Sequence, residues 1–123
     1  MARSTLAVAA VKTPKGPNPV TVAPGDLHIT PAAADSVNGN QFAALPGDIV
    51  HARNTHATLA RTVTLTSSPD ERGRLGNIAA YSLAAGEEMY FYFGDETGWR
   101  QPDGFIYLDA STADIVWAVL RRP

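Results

Sequence analysis

The sequence has no cysteine, which removes disulfide staples, thiolate zinc sites and cysteine nucleophiles together and leaves the redox compartment unspecified. No stretch approaches the roughly 18 uninterrupted apolar residues that a membrane helix needs, so a soluble protein is expected. Charge of one sign is also missing. Ten Lys and Arg against twelve Asp and Glu leave a formal net charge of −2, so no global positive field draws the chain to nucleic acid or anionic lipid. There is no G-x-S-x-G elbow, P-loop or dinucleotide fingerprint, and no internal repeat or heptad. The start, Met-Ala-Arg-Ser followed by the apolar run from Thr5 to Val11, has some texture of a signal peptide. That run is at the short limit for one, and Lys12, Pro14 and Lys15 follow it.

What is present is enough for one core. In 123 residues, 45% of them hydrophobic, a single domain buries about two thirds of the unfolded chain's surface, and a second core would leave each half too small to offset its ordering entropy. The texture changes near residue 26. Before it, Pro14, Pro17, Pro19 and Pro24 alternate with Gly16 and Gly25 among small and basic residues. Proline fixes φ and pushes its preceding residue towards extended geometry, so residues 1–26 read as an extended, proline-rich N-terminal arm and residues 27–123 as a single β domain.

From Leu27 onward, short strand-like runs are separated by turn residues. Residues 27–30 form a candidate strand ended by Pro31, residues 36–40 carry turn chemistry, and residues 42–45 and 49–54 flank Pro46-Gly47-Asp48. Residues 61–66 alternate strictly, which places Val63 and Leu65 inside and the threonines outside. Residues 77–85 also fit a helical face through Ile78, Tyr81 and Ala85, but strand followed by turn is favoured. Residues 87–93 alternate again, with Met89, Phe91 and Phe93 on one side and Glu88, Tyr90 and Tyr92 on the other, so both faces are largely apolar. The turn residues at 94–98 and 101–104 imply two hairpins. The run Ile115 to Leu120 suits a central strand covered on both faces. The helical segments needed for parallel βαβ units are absent, so the expected fold is all-β: an antiparallel β-sandwich or small barrel of jelly-roll or tulip-like form.

Chemistry-bearing residues are few. His28, His51 and His56 match no ligand spacing, and surface or hydrogen-bonded histidines are the plainer reading, so no metal site and no cofactor are expected. The carboxylate pairs Asp70/Glu71, Glu87/Glu88 and Asp95/Glu96 invite comparison with glycoside hydrolysis, which needs two carboxyls held at a set separation. Adjacent residues on a strand point to opposite faces, and turn carboxylates usually act as caps, so no catalytic residue is assigned. Tyr90, Tyr92 and Trp99, with Tyr107, are candidates for an aromatic platform that stacks sugars, against a plainer role in packing. The expectation is a non-enzyme.

The order of several fragments carries a resemblance: Asn-Gly-Asn at 38–40, Arg-Asn at 53–54, Thr-Val-Thr-Leu-Thr-Ser-Ser-Pro-Asp at 62–70, Gly-Arg at 73–74 and Asn77-Ile78. After these come Gly-Trp-Arg-Gln at 98–101, Asp-Gly-Phe-Ile-Tyr-Leu at 103–108 and Ala-Asp-Ile at 113–115. Over residues 36–123 the chain resembles small β-rich structural proteins of tailed bacteriophages. The resemblance implies a capsid decoration or cement protein, made in the host cytoplasm and placed on the outer surface of the virion head. Its partners would be the major capsid protein and further copies of itself, as a trimer, with neither membrane nor nucleic acid bound directly. In that setting the arm is expected to bridge subunits by adding a strand to a neighbour's sheet edge, with Val8, Val11, Val20 and Val22 entering side-chain pockets and Arg3, Lys12 and Lys15 pairing with acidic surface. A carbohydrate-binding β-sandwich, or another tail- or neck-associated virion protein, is the alternative.

Overall fold

The computed structural model describes residues 2–10, 29–70, 72–94 and 97–121. Among these there is no helix, and the strands in chain order are β1 (Ser4–Thr5), β2 (Val8–Ala10), β3 (Ala32–Ala33), β4 (Asn40–Ala43) and β5 (Asp48–Asn54). They continue with β6 (Arg61–Thr66), β7 (Ile78–Leu83), β8 (Glu88–Phe93), β9 (Phe105–Ala110) and β10 (Ile115–Arg121). One sheet has the order β1-β4-β9-β6-β7. The other has the order β2-β10-β5-β8, with β3 also paired to β10. These are two sheets sharing one core, consistent with a β-sandwich, and they do not close into a barrel.

Alternation builds that core. Phe42, Val63, Leu65, Ile106 and Leu108 project from the first sheet and Val50, Ala52, Phe93, Ile115, Trp117 and Val119 from the second, all in one buried cluster. On β6, Val63 and Leu65 are fully buried while Thr62, Thr64 and Thr66 are half-buried on the other side, as the two-residue period requires. Ladder register fixes which side chains meet: Phe42 stands opposite Ile106, Leu65 opposite Leu108, and Val50 lies between Val119 and Phe91.

The chain repeatedly changes sheet. Among the described residues only β6 and β7 are both consecutive and paired, so every other ladder joins strands distant in sequence. The hairpins expected around residues 94–104 are therefore not formed as such. β8 pairs with β5 in one sheet and β9 with β4 and β6 in the other, and the turn residues, with Gly98 and Gly104 at positive φ, carry the chain across. Of the strand expected at 27–30, Leu27 and His28 lie outside the described residues. Ile29 and Thr30 are unpaired, and pairing to β10 begins at Ala32, after Pro31, which has no N–H to give to a ladder.

The largest departure is at the N-terminus. Instead of standing away from the domain, residues 2–10 contribute to both sheets. β1 pairs in parallel with β4, then the chain crosses at Leu6 and β2 pairs in parallel with β10, so the sheets are mixed rather than purely antiparallel. Leu6 is buried in the crossing, and its N–H donates to Gln41 O at 2.8 Å. The rest of the expected arm, residues 11–26, lies outside the described residues, as do Leu27 and His28.

Two polar clusters hold this frame. Asp48 is fully buried where β5 begins, and its carboxylate accepts Arg121 Nε at 2.9 Å, Arg121 Nη2 at 2.8 Å and the Leu45 N–H at 3.0 Å. At the other cluster, Arg3 donates to both carboxylate oxygens of Asp109, at 2.9 and 3.2 Å, and its guanidinium lies 4.3 Å from the Tyr107 ring centre. Gly39 permits this approach. Its φ is +81°, and a Cβ there would fall on Arg3 Nη1 and Asp109 Oδ1.

Candidate docking surface

The outer face of the second sheet is the most unusual surface of the molecule. Because β5, β8 and β10 alternate, the residues not in the core all emerge on this side: Ile49, His51 and Arg53 from β5, Glu88, Tyr90 and Tyr92 from β8, and Val116, Ala118 and Leu120 from β10. Cross-strand register arranges them in rows. Leu120, Ile49 and Tyr92 form one row, Ala118, His51 and Tyr90 the next, and Val116, Arg53 and Glu88 the last. An antiparallel sheet with one face in the core usually presents polar residues on the other. Here two of the three rows are apolar or aromatic, and Tyr90 and Tyr92 are 64% and 69% exposed.

Ile29 and Pro31 lie at the side of this face. With His51, Tyr90, Ala118 and Leu120 they line an open depression of about 190 Å³, smaller than the roughly 300–1,000 Å³ of small-molecule pockets. His51 is one of its polar members. Its ring is 4.7 Å from the Tyr90 ring at a tilt of 33°, and its Nε2 lies 3.7 Å from Glu88 Oε1, beyond hydrogen-bond distance. That nitrogen is buried without a hydrogen-bond partner. The imidazole and carboxylate are thus close, but none of the six residues lining the depression is a serine, threonine, lysine or cysteine that a general base would activate.

The other candidate residues are dispersed. Trp99 does not join Tyr90 and Tyr92. It packs against the core, edge-on to Phe93 with ring centres 5.8 Å apart, so the three-residue platform is not assembled. Tyr107 is also elsewhere, on β9, hydrogen-bonded through its hydroxyl to Asp103, which lowers the Asp103 pKa and raises that of Tyr107. Arg3 is engaged by Asp109, and Val8 sits in β2 opposite Val119 and packs on the core, so neither side chain is free for a neighbour. Val11, Lys12, Lys15, Val20 and Val22 lie outside the described residues.

Carboxylates serve turns. Asp70 accepts the N–H groups of Arg72 and Arg74 and pairs with the Arg74 guanidinium, which together hold its pKa low. Glu87 accepts the Ala84 N–H at 2.6 Å. His56 Nδ1 accepts the N–H groups of Thr58 and Leu59, a local turn contact. Among the described residues no three His, Asp or Glu side chains converge as a metal site would require, and no helix is long and apolar enough to cross a membrane.

The docking face was foreshadowed by two sequence signals: the apolar character of both faces of residues 87–93, and the unbroken apolar run at 115–120. That Ile29 and Pro31 would lie beside this face could not be read from the local pattern. No family model matches this chain, and no match to it is found among curated proteins or solved structures.

Proposed function

We propose that the chain is a non-catalytic docking domain, a virion structural protein that decorates the outer surface of a tailed-phage head and bridges major capsid protein subunits. The observation that carries this reading is the tyrosine-rich outer face of the second sheet. Exposed aromatics surrounded by aliphatic side chains are the usual anchors of protein interfaces, because they bury much area for little lost side-chain freedom. The flat, open form of the face suits a protein surface better than a small substrate.

The proline-rich stretch keeps a role in this proposal. Val11, Lys12, Lys15, Val20 and Val22 are its proposed contacts with a capsid subunit. Copies repeated over a shell would bind through avidity, each contact being weak. The jelly-roll or tulip-like form remains part of the proposal.

Co-sedimentation with expanded capsids that lack the protein tests the reading. Saturable binding and a raised capsid disruption temperature are expected, with a loss of at least about tenfold in affinity for Tyr90→Ser/Tyr92→Ser, since each is placed as an anchor. Absence of binding at micromolar protein overturns it. The paired tyrosines also favour a second reading, a sugar-binding face, for which a glycan array is the corresponding test.

A further inference from the structure

The two sheets have four edges, and they are built differently. β1 is two residues long, and the edge shared by β2 and β3 is made of pieces of three and two residues. β7 is longer, but its ladder to β6 shifts register between Val63 and Leu65. Ala80 there adopts φ +49°, and its N–H goes to Thr64 Oγ1 rather than to a backbone carbonyl. Short edges and bulged edges resist pairing with another chain. Among the described residues β8 has neither protection. Its six residues pair with Asp48–Arg53 of β5 without a register shift, it contains no proline, and Glu88 at its start is its one charge.

No described residue pairs with the other side of β8, and the groups on that side can be assigned one by one. The carbonyls of Glu87 and Phe93 accept hydrogen bonds from the β5 side, from Asn54 N–H at 3.0 Å and Gly47 N–H at 2.6 Å. Antiparallel alternation then turns the N–H and C=O of Glu88, Tyr90 and Tyr92 outward from the sheet. A strand edge of this kind is a template for another strand.

We infer that β8 is a self-association edge, pairing antiparallel with the β8 of a second copy about a two-fold axis at Tyr90. This register leaves no outward group of the strand unmatched: Tyr90 faces its own counterpart, and Glu88 faces Tyr92 of the partner subunit. Charge selects the same arrangement. Parallel alignment would set the two Glu88 carboxylates side by side, whereas the antiparallel two-fold sends them to opposite ends of the ladder. The tyrosines add aromatic cross-strand pairs on the outer face, and the two second sheets become one continuous sheet. This inference is independent of the capsid reading and differs from a trimer, which a single two-fold edge cannot close.

Sedimentation equilibrium of the full chain, over a range centred on about 10–100 µM as suits a small interface, should give a mass rising from one chain to two. Amide exchange supplies a second readout: the N–H groups of Tyr90 and Tyr92 should gain protection as concentration rises, while that of Tyr81 on β7 does not. Tyr90→Lys, with its outward charge at the axis, should abolish the dimer, and Tyr81→Lys should leave it unchanged. A monomer throughout the range, a trimer, or a dimer insensitive to Tyr90→Lys with Tyr90 and Tyr92 amides still exchanging freely overturns the inference.

Discussion

At the scale of single residues, the buried Asp48 and its partner Arg121 carry the most concentrated electrostatic risk. Asp48 has no exposed side-chain surface, whereas the Arg121 side chain is 29% exposed and keeps contact with water. Truncating the exposed partner strands the buried one, so Arg121→Ala should cost about 3 kcal/mol in urea unfolding. Asp48→Asn with Arg121 retained should cost less, because the arginine can turn to solvent. Gly39→Ala makes a different demand, since the new methyl meets the Arg3–Asp109 pair while the backbone holds φ at +81°. We expect it to lose more than the roughly 1 kcal/mol typical of a strained left-handed residue and to weaken the seating of β1, read as faster amide exchange at Ser4 and Leu6. Several surface aspartates set the acid limit of the fold. Hydrogen bonding by Arg61 and Thr112 lowers the Asp114 pKa, backbone N–H donation by Asn38 and the Ser4 hydroxyl lower that of Asp35, and the Tyr107 hydroxyl lowers that of Asp103. A carboxylate whose folded pKa lies below its unfolded value stabilises the fold above the unfolded value, and that contribution fades as pH falls through the folded one. Thermal stability should therefore be flat on these groups' account above about pH 5 and decline below about pH 4. Asp114→Asn should shallow the decline in calorimetric scans.

At the scale of elements, local pattern and local outcome agree where one face of a strand is buried. The alternation at Arg61–Thr66 gives β6, with Val63 and Leu65 inside, and the apolar run from Ile115 gives β10 in the interior of its sheet. Residues 77–85, where strand followed by turn is favoured over a helical face, contain β7, held by its pairing to β6. Turn residues were legible as turns, but their partners were not: Gly98 and Gly104 look the same in sequence whether the next strand folds back or crosses to the other sheet. The N-terminal strands show the opposite failure. Ser4–Thr5 and Val8–Ala10 are too short to carry a pattern, and their parallel partners lie over thirty and over a hundred residues away, so nothing nearby in the chain announces them. Of the docking face, Tyr90 and Tyr92 could be named from alternation alone. His51 joined them only through the register of β5 against β8, and Trp99 left them because its loop turns inward to Phe93.

For the whole molecule, one consecutive strand pair among so many ladders means that the fold is assembled from distant pieces. Connected strands are usually neighbours in space. Here loop-closure entropy must be met before most of the core can form, the condition associated with slower folding among β domains. The same arrangement spreads the chain's contribution to each sheet, so both sheets depend on the segment from Arg3 to Ala10.

That dependence has a mechanical side. Val8, Leu120's partner Ala9, and Ala10 run alongside Val119–Arg121 in the same direction. A pull on the chain ahead of β1 and beyond β10 therefore draws the two strands past each other along their length, loading the ladder bonds together instead of opening them one at a time. Stretched by its ends, the domain should resist as a clasp in shear, and in single-molecule pulling its rupture force should fall sharply when Ala9→Pro removes the backbone donor that the parallel register turns towards β10.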